Sequence, residues 1–154
     1  PGAVEKAREA LKRGVAIVTD TSMAAAGINK RSAAALGVEV LSFISDRDVA
    51  EEAQARGITR SAVCMERAAA LNRPVIVAVG NAPTALIRLR EMIDEGRFRP
   101  ELIIGVPVGF VNVVESKELI LQTDVPHIVA RGRKGGSNIA AAICNALLYQ
   151  VHRA

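Results

Sequence analysis

The residues best suited to bind an anion lie in a basic, glycine-rich turn, Arg131-Gly-Arg-Lys-Gly-Gly-Ser-Asn138. Its three cations and three glycines stand between a short apolar run and a helix of small residues. Glycine lets the backbone approach a ligand closely, and a strand-to-helix turn leaves backbone N–H groups free to donate. The pattern predicts an anion-binding turn in which Gly132, Gly135 and Gly136 let the backbone bend toward a ligand and Arg131, Arg133 and Lys134 add positive charge. The alternative is a solubilising basic turn that caps a helix.

Arg60 is a second candidate, because it stands between Thr59 and Ser61 at the predicted start of a helix. An arginine at this position can bind a carboxylate through two parallel hydrogen bonds, beside the N-terminal amides of the helix. A surface arginine between two capping hydroxyls would show the same pattern. The sequence leaves both interpretations open.

Other positions carry weaker signals. Asn81 either braces two loops as a buried amide, which the rigid turn between Gly80 and Pro83 favours, or donates to a ligand. The segment Glu115-Ser-Lys117 either orients a substrate or caps a helix with a solvated lysine, and residues 115–118 are expected to be exposed. Met23 is expected in the core.

The composition indicates a single domain with an aliphatic core. The chain has 154 residues, of which half are hydrophobic but only 3% are aromatic, so Ala, Val, Ile and Leu must fill its interior. The net charge of +4 would permit nucleic-acid binding, but the cations are dispersed and aromatic residues for base stacking are few. We therefore expect no nucleic-acid partner, and a small ligand with several carboxylates or phosphates suits the charge better.

Five short apolar segments, each separated from the next by at least one helical pattern, predict a three-layer α/β/α fold around a five-stranded, mainly parallel sheet. The predicted strands span residues 15–19, 38–44, 75–79, 102–106 and 127–130. Right-handed crossovers bring the carboxyl ends of parallel strands to one edge, where open α/β sheets bind ligands. We therefore expect several separate positions to meet there: Asp20, Asn81, Thr84, Pro107, Gly109 and the basic turn.

Nucleotide and metal sites are disfavoured. The dinucleotide fingerprint and the Walker pattern are both absent, so no cofactor is expected. His127 and His152 are expected to be structural or solvated, and they form no metal-ligand spacing with Cys64 and Cys144. The two cysteines should be reduced and fill small core spaces. Without a secretory signal or a run of about 18 apolar residues, the sequence predicts a cytoplasmic protein with no membrane partner.

In chain order, the motifs resemble those of the precorrin-8X methylmutase family of corrin (cobalamin) biosynthesis, including its cobalt-precorrin-8 relatives. The matching blocks extend over nearly the whole chain: Asp20-Thr-Ser-Met23 with Ala26-Gly-Ile28, Thr59-Arg-Ser61, Gly80-Asn-Ala-Pro-Thr-Ala-Leu86, Gly105-Val-Pro-Val-Gly-Phe-Val111 with Glu115-Ser-Lys-Glu118, and Gly132-Arg-Lys-Gly-Gly-Ser137 with Asn145-Ala-Leu147. Each block alone is weakly specific, whereas the ordered set is highly specific.

The resemblance implies an isomerase that moves a methyl group from C-11 to C-12 of precorrin-8X or cobalt-precorrin-8. The product is hydrogenobyrinate or cobyrinate, and neither a nucleotide nor a catalytic metal is needed. It also implies a homodimer and a macrocyclic substrate rich in carboxylates. Thr59, Arg60 and Ser61 are then expected near the ring or its carboxylates, and residues 133–137 are expected to donate to carboxylates. Asp20, Asn81 and Thr84 are expected to contact the substrate or to support the residues that do.

The family's acid/base histidine lies in an N-terminal segment that nothing in residues 1–154 matches, and the chain begins with Pro1. We therefore expect one methylmutase-like domain over residues 1–154 that lacks this segment. No catalytic residue is assigned, with Arg60 as a candidate. The alternative function is that of a relative that binds corrinoids without rearranging them.

Overall fold

One parallel sheet organises the computed structural model, which describes residues 2–152. Within that range, five strands form the sheet in the order β2-β1-β3-β4-β5, and every pair of neighbours is parallel. The strands are β1 (Ala16–Thr19), β2 (Glu39–Ser42), β3 (Val75–Val79), β4 (Leu102–Gly105) and β5 (His127–Val129). The predicted α/β class and five-stranded sheet are confirmed, and the sheet is parallel throughout.

Helices cover both faces of the sheet and make three layers. The helices between residues 2 and 152 are α1 (Ala3–Lys12), α2 (Ser22–Gly27), α3 (Lys30–Ala35), α4 (Arg47–Arg56), α5 (Arg60–Ala69), α6 (Pro83–Asp94), α7 (Val113–Leu121) and α8 (Ser137–Val151). The core residues of α1, α2, α3 and α8 form one cluster, and those of α4 to α7 form another.

Alternating side chains of the central strands enter these two clusters. Ile17 and Ile76, which are register partners, face the α1/α8 side, whereas Val18 and Val77 face the α4–α7 side. β1, β3 and β4 are buried along their whole length. This explains why they appear in the sequence as continuous apolar runs without polar alternation.

The chain leaves β1 and β3 toward opposite faces. β1 connects to β2 through α2 and α3 on one face, whereas β3 connects to β4 through α6 on the other. The loops that follow these adjacent strands therefore diverge at the carboxyl edge of the sheet. Such a switch point is where doubly wound sheets commonly bind ligands.

Most element boundaries agree with the sequence patterns. β3 has the predicted bounds, and each of the other strands lies inside its predicted range. Between β1 and β2, where at least one helical segment is expected, the chain forms two short helices, α2 and α3, with a break between them. The side chain of Asn145 on α8 accepts from the amide of Asn29 at 2.7 Å and donates to the carbonyl of Gly27 at 3.0 Å. These bonds satisfy backbone groups at the break, where the chain would otherwise leave them unpaired.

Candidate functional site

The carboxylate of Asp20 joins the loops that follow β1 and β3. Its Oδ1 atom accepts from the amide of Gly80 at 2.8 Å, and Oδ2 accepts from Asn81 at 2.9 Å and from Ala82 at 2.8 Å. Asp20 is 1% exposed. Burial raises the pKa of its carboxyl group, and the three amide bonds oppose that rise. Asp20 therefore fills the switch point of the sheet with a carboxylate of the protein itself.

Thr21 connects the same loop to the start of α8. Its hydroxyl caps α2 by accepting from the amide of Ala24 at 3.0 Å, and it lies 2.8 Å from the hydroxyl oxygen of Ser137. Thr21 is thus the N-cap residue of α2. Gly80 packs against the same place, since a Cβ on it would lie 2.8 Å from the carbonyl oxygen of Gly136. The loops that follow β1 and β3 thus meet the loop that leads into α8.

The loop after β4 holds the basic turn, residues 131–136, against the edge of the sheet. The amide of Gly136 donates to the carbonyl of Val106 at 2.9 Å, and the amide of Gly109 donates to the carbonyl of Arg133 at 3.1 Å. A Cβ on Gly135 would collide with the Val106 carbonyl. Glycine is therefore required at residue 135 by close backbone contact.

Lys117 lies under the basic turn, contrary to the expectation of a solvated lysine. It is 1% exposed, and its Nζ atom donates to the carbonyls of Gly132 at 2.7 Å and Lys134 at 3.0 Å. Burial lowers the pKa of the Lys117 ammonium. Ser116, also expected on the surface, is buried and donates to the carbonyl of Val113 at 2.9 Å. The prediction of an exposed segment 115–118 is wrong for these two residues because this face of α7 packs onto the protein.

The outer surface of this region combines cations with apolar side chains. Arg131, Arg133 and Lys134 are exposed, and the guanidinium carbon of Arg133 lies 5.6 Å from the centroid of the Phe110 ring. Phe110 and Val111 are each 80% exposed. Phe110 is not among the site residues expected from the sequence. The available signal was an apolar Val-Gly-Phe-Val run that continues past the end of a strand, where the chain must turn at the surface.

The residues around Arg60 form a separate part of the same edge. Thr59 caps α5 by accepting from the amide of Ala62 at 3.1 Å, and its hydroxyl donates to that of Thr84 at 2.9 Å. Arg60 is exposed, and among residues 2–152 its guanidinium forms neither a hydrogen bond nor an ion pair. Ser61 is half-buried. The structure thus leaves Arg60 free to bind an anion while Thr59 is committed to the helix cap.

A surface groove of about 440 Å³ runs between α5 and α6 from the Thr59–Thr84 contact. Glu66 lies along it and forms ion pairs with Arg56 at 2.5 Å and Arg88 at 2.8 Å. These two guanidiniums hold the pKa of Glu66 below its usual value. The charged groups of this groove therefore already pair with each other.

Two expectations for individual side chains are wrong. Asn81 is exposed, so its side chain is not a buried brace; it is the backbone amide of Asn81 that braces the loops, by donating to Asp20. Met23, expected in the core, is 72% exposed. In α2, which has six residues, Ala24 is the buried one, and Met23 points away from the sheet.

The two cysteines are buried, and the two histidines lie apart from these loops. Cys64 and Cys144 are buried and free, as predicted, and burial raises their thiol pKa values to about 11 and about 12. His127 opens β5 and His152 follows the end of α8, which places both at the amino edge of the sheet. Nδ1 of His127 lies 2.7 Å from the carbonyl of Val125. Neither histidine reaches the loops at the carboxyl edge.

Two further features are absent from residues 2–152. In this range, no group of three or more His, Cys, Asp or Glu side chains is arranged to hold a metal ion. Likewise, none of the helices described above combines the length and the apolar character that crossing a membrane requires.

Comparison with known proteins gives one consistent family. The sequence profile described as precorrin-8X methylmutase matches residues 1–150. A cobalt-precorrin-8 methylmutase of Salmonella typhimurium is 46% identical over 153 residues, which cover 99% of this chain and 71% of that protein. A precorrin-8X methylmutase of Pseudomonas aeruginosa is 44% identical over 149 residues, covering 96% of this chain and 71% of its own length.

A solved structure gives the same result in three dimensions. The crystal structure of a precorrin-8X methylmutase from Thermus thermophilus superposes with a TM-score of 0.86 at 39% sequence identity. The match covers 97% of this chain and 73% of that one. The similarity in sequence and the similarity in fold therefore extend over the same residues.

Proposed function

The chain belongs to the precorrin-8X methylmutase family, and we propose that it catalyses the reaction of that family. It is an isomerase of cobalamin biosynthesis that moves a methyl group from C-11 to C-12 of precorrin-8X or cobalt-precorrin-8. The product is hydrogenobyrinate or cobyrinate. We propose both substrates because cobalt-precorrin-8 methylmutases and precorrin-8X methylmutases match this chain at similar identity.

The observation that carries this proposal is the contact between Phe110 and Arg133 beside the basic turn. The substrate has an apolar ring system with acetate and propionate arms. An exposed aromatic ring suits the macrocycle, and the exposed cations at residues 131, 133 and 134 suit the carboxylates. The two kinds of surface adjoin at one edge of the sheet, as this ligand requires.

Arg60 and the start of α5 provide a second carboxylate contact. The guanidinium is exposed and free, and the first amides of α5 lie beside it. Thr84 and Asp20 act as supports, since Thr84 bonds to the α5 cap and Asp20 fixes the loop that leads to Thr84. Arg60 and the basic turn together would hold carboxylates on different arms of the macrocycle.

The methyl shift is intramolecular, formally a 1,5-sigmatropic shift. The protein therefore accelerates it most by holding one face of the ring rigidly. Fixed hydrogen bonds can also stabilise the ring where its electron density changes. The short interloop bonds of Asp20, Thr21 and Gly136 make this edge stiff. We assign no proton transfer to His127 or His152, because both lie at the opposite edge.

Conversion of precorrin-8X by the purified protein tests the proposal. We expect a change in the visible spectrum on mixing and a product of unchanged mass whose NMR spectrum shows the methyl group on C-12. Binding of hydrogenobyrinate without any turnover of precorrin-8X would instead identify a corrinoid-binding relative. A titration with no spectral change for either compound would reject both functions.

We also propose that the protein acts as a homodimer in the cytoplasm. The homodimer is what the family resemblance implies, and analytical ultracentrifugation measures it directly. A reducing compartment suits two free thiols that are buried on opposite faces of the sheet. A sedimentation coefficient that corresponds to a monomer at all concentrations would contradict the homodimer.

A further inference from the structure

Three consecutive carbonyl groups of the basic turn accept hydrogen bonds from the interior of the protein. The carbonyls of Gly132 and Lys134 accept from Nζ of Lys117, and the carbonyl of Arg133 between them accepts from the amide of Gly109. The turn is thus held by its oxygen atoms along three adjacent peptide groups.

This arrangement fixes where the neighbouring amides point. In a trans peptide the carbonyl oxygen and the following N–H point in opposite directions, and the described part of the chain contains no cis peptide. The N–H groups of residues 133, 134 and 135 therefore face away from the groups that hold the carbonyls. Within residues 2–152, no protein atom accepts a hydrogen bond from these three amides.

The charge of Lys117 has no partner of opposite sign. Both of its hydrogen bonds go to neutral carbonyls, and across residues 2–152 it forms no ion pair. An ammonium taken out of water without a carboxylate is costly to the fold. An apolar side chain would fill the space under the turn at lower cost, which favours a functional reason for the charge.

We propose that Lys117 is a positioning residue for the basic turn. Its ammonium draws the carbonyls of residues 132 and 134 inward, so that the amides of residues 133–135 face outward beside Arg133 and Lys134. It also places a buried positive charge under them, for which a carboxylate of the ligand is the counter-ion. The identity of the ligand rests on the proposed function, whereas the positioning of the turn by Lys117 is independent of it.

Limited proteolysis tests the structural part without any substrate. Trypsin cleaves after Arg131, Arg133 and Lys134, all of which are exposed but held in the turn. We expect Lys117→Met to be cut at these three positions at least about tenfold faster than the wild type, because it loses two charge-assisted hydrogen bonds. Mass spectrometry of the fragments identifies the cleavage sites. Lys12→Met, an exposed lysine on α1, is the matched control and should leave this pattern unchanged.

Kinetics test the functional part. We expect Lys117→Met to raise KM for precorrin-8X by about tenfold while kcat changes much less, because the turn binds carboxylate arms equally in the ground state and the transition state. Lys117→Gln, which can still donate but carries no charge, should restore resistance to trypsin and only part of the affinity. If Lys117→Met does not fold, the glutamine variant decides the question by the same two measurements.

The outcomes separate this inference from the proposed function. A wild-type protein that does not convert precorrin-8X overturns the proposed function, while faster cleavage of Lys117→Met at the turn still supports the positioning role. A wild-type protein that is active, with Lys117 variants unchanged in both KM and cleavage, overturns the positioning role alone. A fall in kcat without a change in KM would also overturn it.

Discussion

The hydroxyl oxygens of Thr21 and Ser137 lie 2.8 Å apart, although 116 residues separate them in the chain. Thr21 follows β1 and caps α2, and Ser137 is the first residue of α8. This one contact connects two helices of the same layer at the edge that we propose as the substrate site. Its loss should affect stability and the site together.

Replacing Thr21 with valine, which has nearly the same shape, removes this contact and the cap of α2. We expect the free energy of unfolding in urea to fall by about 1–2 kcal/mol, from one lost helix cap and one lost hydrogen bond. Thr21→Ser keeps the hydroxyl and is the control. Equal stability of the valine and serine variants would contradict the role of the hydroxyl.

Replacing Asp20 with alanine leaves the three amides of residues 80–82 without an acceptor. We expect the variant to lose at least about 3 kcal/mol of stability, because buried donors are left unsatisfied. Added formate can enter the vacated space and accept from the same amides. Its addition should therefore raise the Tm of Asp20→Ala.

The matched comparison for the formate experiment is sodium chloride at equal ionic strength. Formate should raise the Tm of Asp20→Ala more than chloride does, and it should have little effect on the wild type, whose site is already filled. The same response in both proteins would show that formate acts through the solvent rather than at residues 80–82.

Replacing Arg60 with alanine should weaken binding of the macrocycle by about 1.5–3 kcal/mol, the range of a charge-assisted hydrogen bond. A spectral titration with hydrogenobyrinate measures the change. Arg47→Ala is the control, since Arg47 is likewise the exposed first residue of a helix. An unchanged affinity for Arg60→Ala would make Arg60 an ordinary surface arginine.

Glu66 makes the free energy of unfolding depend on pH in the acid range. Because Arg56 and Arg88 lower its pKa in the folded state, Glu66 stabilises the protein above its ordinary pKa of 4.5, and this contribution is lost as the pH falls through the lowered value. We expect Glu66→Gln to cost about 2 kcal/mol near neutral pH and progressively less in acid. Urea unfolding of both proteins over a pH series measures this difference.

The control for Glu66 is Glu51→Gln, which removes an exposed ion pair with Arg47. Exposed pairs contribute little, so its unfolding curves should match those of the wild type at every pH. A constant difference between wild type and Glu66→Gln from neutral to strongly acidic pH would contradict the assignment of the lowered pKa to Glu66.

Local rules were sufficient to predict most of the fold. Gly57, in a left-handed conformation with φ of 68°, ends α4, and the hydroxyl of Thr59 caps α5 at the predicted start of a helix. The buried strands were recognisable as uninterrupted apolar runs. These features depend on residues that are close in sequence, which is why composition and spacing predict them.

The errors in the site arose where a partner from a distant segment decides the outcome. Lys117 looks solvated by residue type, and only the carbonyls at residues 132 and 134 explain its burial. Asn81 looked like a buried amide, but its loop is fixed by Asp20, from 61 residues earlier, through the backbone. No local pattern in the sequence carries information about such contacts.

The position of Asp20 also bears on which solutes the fold can accept. The Asp20 carboxylate lies within 3 Å of three amides and competes with any free anion for them. Because it is covalently part of the chain, its effective concentration at these amides exceeds that of any free anion in a cell. Phosphate, nucleotides and free carboxylic acids would have to displace the Asp20 carboxylate to reach these amides, so we expect them not to bind at the switch point. The macrocycle that we propose as the substrate can then bind on the outer surface of the loops without competition from small anions at Asp20.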